Sequence, residues 1–353
     1  MISLTNIPPA KNDLLTAAVL ARWNSLTKPP GSLGRLESLV TQLALASGTA
    51  QPTVSRKTMV VFCADHGVTA EGVSKYPREV TGQMLHNFLA GGAAITVLCR
   101  QFGITPMIVD TGVDAEPLRG AINRRLGRGT ANFCNQPAMT ESQLEQALQN
   151  GIALAEEVRE QADIAAVGEM GIGNTTSASA LLCAYTGMLP ADAVGPGTGV
   201  DAAGVSLKAA VIQRALTFHK RVVEEADPTK ILATFGGFEI ATMTGFLLGA
   251  AAKRLPIVVD GFISSSAALA ARAMSANVMD YLFFSHVSAE TAHKRMLGAL
   301  NAQAILDLEM RLGEGSGAAM VMPVFDAAVA LYSQMATFPE AGVSESFEIC
   351  IKH

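Results

Sequence analysis

The feature that most constrains this chain is a unit that recurs along its middle. A short apolar run ends in glycine, acid or hydroxyl residues and leads into an alanine- and leucine-rich segment. It occurs at Thr58–Val68 (TMVVFCADHGV), Ile104–Asp114 (ITPMIVDTGVD), Asp163–Thr176 (DIAAVGEMGIGNTT), Lys230–Glu239 (KILATFGGFE), Leu255–Ser266 (LPIVVDGFISSS) and Met279–Glu290 (MDYLFFSHVSAE). Runs this apolar suit strands covered on both faces, as in a parallel sheet. The segments between them, such as Glu141–Gln161, Ser177–Tyr185 and Ala202–Glu225, have helical length. Alternating strand and helix predicts right-handed crossovers.

The expected fold is therefore α/β: a doubly wound, mainly parallel, Rossmann-like sheet over residues 58–291. Ligands of such sheets sit outside the carboxyl ends of the strands, and all six polar tails are expected at that edge. The two ends of the chain read differently. Leu14–Ser47 reads as two helices around TKPPGSLGRLE, Ala292–Leu312 reads as helical, and another helix follows. Residues 1–57 with 292–353 are thus expected to form a smaller helical domain.

With 49% apolar and 16% charged residues, the 353-residue chain can bury a large core. A net charge of −5 argues against nucleic acid as the main partner. No uninterrupted apolar run predicts a membrane span, and the first residues do not read as a secretory signal. Cys63, Cys99, Cys134, Cys183 and Cys350 are widely spaced with no C-x-x-C pair, the pattern of a reduced, cytoplasmic protein whose thiols pack.

Gly168–Ala180 (GEMGIGNTTSASA) places Gly168, Gly171 and Gly173 ahead of Asn174, Thr175 and Thr176 between a strand and a helix. Exposed amides at a helix start bind anions, and glycines let a phosphate approach the backbone. A tight turn with an Asn/Thr cap fits the same letters. The order G-x-x-G-x-G is neither a dinucleotide fingerprint nor a Walker A loop. Gly195–Asp201 (GPGTGVD) is a second glycine loop before a helix, with Lys208 two turns on. Two such loops suggest a phosphorylated ligand and Lys208 suits its phosphate, although by itself Lys208 also fits an exposed helix position.

Asp65 and His66 end the first apolar run. The six histidines form no H-x-H or H-E-x-x-H, so no metal is expected; Asp65 reads as organising loop amides or touching a ribose. Ser264–Ser266, Ser285 and Ser288 lack a G-x-S-x-G elbow and read as ligand hydrogen-bonders or caps. Tyr76, Gln83, Met84, Leu85 and Phe88 fit either an amphipathic helix after Pro77 or an apolar slot for a flat aromatic ligand. IVVDGFISS carries one acid, where users of pyrophosphorylated ribose carry two, so neither that donor nor Mg²⁺ is expected. Glu314, in Arg311–Met320 (RLGEGSGAAM), is either a helix-capping acid or a base held between glycines.

KPPGSLGRLE, ADHGV, VGEMGIGNTT, GPGTGVD, FGGFEIA, VDGFISSSAAL and LGEGSGAAM, in this order over about residues 28–320, resemble the nicotinate-nucleotide:dimethylbenzimidazole phosphoribosyltransferase family of cobalamin lower-ligand synthesis. The resemblance implies transfer of 5-phosphoribosyl from nicotinate mononucleotide to 5,6-dimethylbenzimidazole, without metal or cofactor, by a homodimer. It implies that Glu314 is the general base and that Glu169 lines the active site. Gly171, Gly173, Asn174, Thr175, Gly197, Thr198, Gly199, Lys208 and Ser288 would hold phosphate and ribose, and Tyr76, Gln83, Met84, Phe88 and Leu312 the base. Tyr76 stands where some relatives have serine, and their pocket glutamine aligns with Met84 or Gln83. Two alternatives remain: a transferase for another base (adenine, another benzimidazole, a phenol), or a catalytically silent nucleotide-binding protein.

Overall fold

The structure, a computed structural model, describes residues 6–195, 197, 199 and 201–344. Six strands form one parallel sheet: β1 (Lys57–Ala64), β2 (Ile104–Gly112), β3 (Ile122–Asn123), β4 (Ile164–Met170), β5 (Ile257–Val259) and β6 (Leu282–Phe284). Their order in space is β3-β2-β1-β4-β5-β6. The chain runs outward from β1 in one direction and returns through β4 to run outward in the other. Such a reversal opens a crevice beyond the carboxyl ends of the central strands. β1 and β4 are buried over nearly their whole length, as their uniform apolar character requires.

Five of the six apolar runs contain strands, but Lys230–Glu239 does not. Residues Pro228–Phe235 form a helix, and Gly236 and Gly237 separate it from a second helix, Phe238–Ala252. Asp227 decides this: its carboxylate accepts from the amides of Thr229 (2.8 Å) and Lys230 (3.2 Å), and Pro228 sits at the first helical position. A fully buried helix and a buried strand share the same apolar letters. The expected 292–312 helix likewise stops at Leu300, where Asn301 turns left-handed at φ 51°. Irregular chain then leads to the glycine loop. Ala202–Glu225 breaks at His219, which interrupts two helices while its Nε2 meets the Phe133 carbonyl at 2.8 Å.

The terminal helices Asp13–Ser25, Arg35–Ser47 and Ser316–Gln334 share a cluster that includes Val19, Trp23, Val40, Ala44, Ala328 and Tyr332. The Trp23 and Tyr332 rings meet edge-on at 5.0 Å. Buried Lys28, between the first two helices, pairs at 2.8 Å with the partly buried Glu37 of the second. Helix Ser316–Gln334 is long and apolar enough to cross a membrane by length and composition, but half of that stretch is buried against protein. Cys63, Cys99, Cys134 and Cys183 are buried and unpaired, and burial pushes the Cys99 and Cys183 thiols up to about 12. Cys350 lies outside the described residues.

Candidate active site

A cavity of about 420 Å³ lies at the carboxyl ends of β4, β5 and β6. Glu169 and Met170 end β4, and the Gly171–Thr175 loop continues from them. Asp260 and Gly261 follow β5; His286, Ser288 and Glu290 follow β6. Tyr76, Val80 and Met84, from the segment and helix beyond β1, make an apolar wall, and Arg311–Glu314 closes the opposite side. Residues far apart in sequence meet here because parallel strands bring all their carboxyl ends to one edge.

Glu314 is 6% exposed and stands in the left-handed region at φ 65°, between Gly313 at 84° and Gly315 at 90°. The bracketing glycines have steric reasons. A Cβ on Gly313 would lie 2.5 Å from Glu169 Oε1, and one on Gly315 would lie 2.6 Å from Met59 Sδ. Below the loop, a Cβ on Gly168 would lie 2.5 Å from the Glu314 carbonyl carbon and oxygen. The loop therefore rests directly on β4. Glu314 Oε2 accepts from the Ile95 amide at 3.4 Å, at the start of helix Ala94–Phe102. It thus meets the positive end of a helix, though not the helix it precedes in sequence. Burial nonetheless raises its pKa above the ordinary value; the Ile95 amide opposes this and the Asp260 charge adds to it.

Glu169 lies beside it, 5% exposed, with an Asn174 side-chain amide donating to Oε2. Burial, then Asp260 and Glu239, push its pKa up to about 8 against the Asn174 bond, with Glu314 adding a smaller push. Two neighbouring carboxyls thus share a buried site, and burial holds both toward the protonated form. Glu239 backs the site from below, paired at 2.7 Å with the buried imidazole of His66.

On the far side, Gly173 caps helix Asn174–Thr186 at φ 99°. Lys208 is 3% exposed, so the exposed-helix alternative does not hold, and its Nζ reaches Thr175 Oγ1 at 3.3 Å. Burial lowers its pKa, against the nearby charge of Glu290. The Glu290 carboxylate accepts from the Gly197 amide at 3.1 Å; a Cβ on Gly195 would meet its Cδ at 2.7 Å. Burial raises the Glu290 pKa, while Lys208, the Gly197 amide and Arg311 oppose this. Ser288 lines the cavity, and its hydroxyl accepts from the Glu290 amide at 3.2 Å.

Glu314, Glu169, Gly171, Asn174, Thr175, Gly197, Ser288, Tyr76, Met84 and Leu312 all line this one cavity. Gly173 and Lys208 support it from just behind, whereas Gly199 does not line it. Thr198 lies outside the described residues. Gln83 does not line it either: the same helix that turns Val80 and Met84 inward exposes Gln83. Phe88, a turn beyond Met84, is buried in the apolar core instead. Asp65 is likewise away from the cavity and accepts from the Asp114 amide at 2.7 Å, the loop-organising alternative.

A family model described as "Phosphoribosyltransferase" matches residues 7–343. The chain belongs to this phosphoribosyltransferase family. A nicotinate-nucleotide–dimethylbenzimidazole phosphoribosyltransferase of Solidesulfovibrio magneticus is 47% identical over 97% of this chain and 98% of its own length. One from Pseudomonas putida is 51% identical over 92% and 93%. The crystal structure of CobT from Thermus thermophilus superposes with a TM-score of 0.90 at 42% identity, covering 94% of this chain and all of that one.

Against that background, Asp260, His286, Glu290 and Arg311 are cavity residues of this phosphoribosyltransferase to which the sequence reading assigned no role. Asp260 was legible as the lone acid after an apolar strand; its work was not. Its Oδ2 accepts from the Gly315 amide at 3.2 Å and its Oδ1 from Ala318 at 2.9 Å. His286 carried no local signal. Its ring is fitted against the first turn of helix Ser316–Gln334, where any side chain at Gly317 would overlap it.

Proposed function

We propose that this chain transfers the 5-phosphoribosyl group of nicotinate mononucleotide to 5,6-dimethylbenzimidazole, releasing nicotinate and α-ribazole 5′-phosphate for assembly of the cobalamin nucleotide loop. One observation carries the reading: a buried glutamate, Glu314, faces a cavity with an apolar wall on one side and a helix-start glycine loop on the other. Membership of the family and the near full-length relatives support the same reaction.

In this reading the apolar wall of Tyr76, Val80 and Met84, with Leu312, stacks the base. Gly171, Gly173, Asn174, Thr175, Gly197, Lys208 and Ser288 hold the phosphate and ribose. A neutral ring nitrogen attacks the anomeric carbon as the bond to nicotinate breaks, and the electron pair leaves with nicotinate. Glu314 takes the proton from the other ring nitrogen, cancelling the positive charge that builds on the base. Holding the two rings on opposite faces of the ribose supplies much of the acceleration. A small domain from both chain ends, with 58–291 as the large one, a homodimeric assembly and a cytoplasmic location belong to the same proposal.

Purified protein given nicotinate mononucleotide and 5,6-dimethylbenzimidazole should yield α-ribazole phosphate by mass detection; its absence would sink the assignment. A second reading, transfer to a different flat base, draws on the lack of charged or amide side chains along Tyr76, Val80 and Met84. Competition among benzimidazoles, adenine and a phenol separates the two. Nucleotide binding without nicotinate release would instead mark a silent binder.

A further inference from the structure

Gly313, Glu314 and Gly315 are three successive left-handed residues, at φ 84°, 65° and 90°. For glutamate that conformation is sterically strained and persists only where the surroundings over-determine it. The side chain's own bond to Ile95, at 3.4 Å, is long. Shorter contacts lie further on, from the Gly315 and Ala318 amides to the buried carboxylate of Asp260.

Asp260 follows β5 and is 1% exposed. Its two oxygens accept from different amides, Gly315 at 3.2 Å and Ala318 at 2.9 Å. It therefore bridges the residue directly after Glu314 and the first turn of helix Ser316–Gln334. Gly168 beneath and His286 alongside leave the loop no room to shift: any Cβ on Gly168 or Gly317 would overlap the Glu314 backbone or the His286 ring. We infer that Asp260 is a positioning residue for the transfer: by gripping the Gly315 and Ala318 amides it holds Glu314 left-handed and turned into the cavity. This rests on reading Glu314 as the base.

An ordinary helix cap would contribute stability and nothing else, so the test needs readouts that capping does not move. An asparagine at 260 keeps the shape but offers one acceptor oxygen, and its NH₂ would face the other amide. The titratable and charged groups around Glu314 are Glu169 on β4, with Glu239 behind it, Asp260 after β5, His286 after β6 and Arg311 in the loop, beside the Ile95 amide dipole at its helix start. Removing the Asp260 charge lets Glu314 lose its proton more readily, so the acid limb of the rate profile should move to lower pH.

In the full chain, Asp260→Asn should lower kcat about 10–100-fold with the donor KM nearly unchanged, and shift the acid limb down. On a Glu314→Gln background the same change should cost under about 2-fold, because a residue acting through Glu314 has nothing left to position. Hydrogen exchange should quicken at the Gly315 and Ala318 amides and not along β4. Unchanged kcat with an unchanged acid limb, an equal loss in the Glu314→Gln background, or amides that keep their protection would each overturn the inference. If wild-type protein makes no product, the proposed reaction fails, and the exchange measurement alone decides whether Asp260 grips the loop.

Discussion

Two helices of this protein begin in the same way and face opposite needs. Asn174–Thr186 starts from left-handed Gly173 and Ser316–Gln334 from left-handed Gly315; neither glycine offers a capping side chain. At the second, Asp260 fills the anion-attracting start from within the protein. At the first, among the described residues no carboxylate accepts from the backbone amides; Glu169 bonds the Asn174 side chain instead. One start is closed by an internal anion and serves to aim a residue. The other has no internal carboxylate on its backbone amides among the described residues, in keeping with its proposed place beside the phosphate. On that proposal the same backbone device does two jobs, and a single aspartate after β5 separates them.

The largest break in this contrast is expected at Glu314. Glu314→Gln should lose about 10²–10⁴-fold in kcat while isothermal titration still shows nicotinate mononucleotide binding; equal turnover would remove Glu314 from the chemistry. Gly168→Ala comes next. Its methyl would press on the Glu314 backbone, so kcat should drop about 10²-fold with the loop displaced, along with a lower melting temperature. Unchanged kinetics would mean the loop does not rest on β4 in solution.

On the open side, Lys208→Met should raise the donor KM about 10–100-fold, the scale of a lost charged hydrogen bond, with kcat little changed. If kcat fell and KM held, the phosphate would lie elsewhere and the contrast between the two helix starts would fail. The smallest effect concerns acidity. Burial pushes the Glu169 pKa up to about 8 in the folded chain, against 4.5 for an ordinary glutamate. The folded state therefore holds a proton that the unfolded state has lost across that window, and stability should decline as pH rises from 4.5 to 8. Glu169→Gln should flatten this decline in melting temperature; an unaltered slope would show that Glu169 is ionised at neutral pH.

Much of this arrangement was readable in the letters. Apolar runs with polar tails marked five strands and the edge where the cavity opens, and the glycines around Glu314 pointed to a backbone pressed close to something. What they pressed against, Glu169 and Met59, was not readable because both lie far off in the sequence, as do the hydrogen-bond partners Ile95, 219 residues from Glu314, and Asp260, 55 from Gly315. Lys230–Glu239 was misread because the buried last turns of a helix, residues 231–235, carry the same unbroken apolar letters as a buried strand; the Asp227–Pro228 start was its legible signal. Gln83 and Met84 are adjacent letters, and only the rotation of their helix sends one to solvent and the other to the cavity. The two-residue strand β3 is too short for any pattern to announce.

The order of the parts along the chain has a consequence for how the protein comes into being. Every residue assigned to the phosphate and ribose lies at or before Ser288, whereas Glu314 comes after them all, just ahead of helix Ser316–Gln334. On the proposed roles, a ribosome making this chain thus completes the donor cradle first and supplies the base afterwards. Until helix Ser316–Gln334 packs across β4, a growing chain would have the residues proposed to hold a nucleotide but not the one proposed to turn it over.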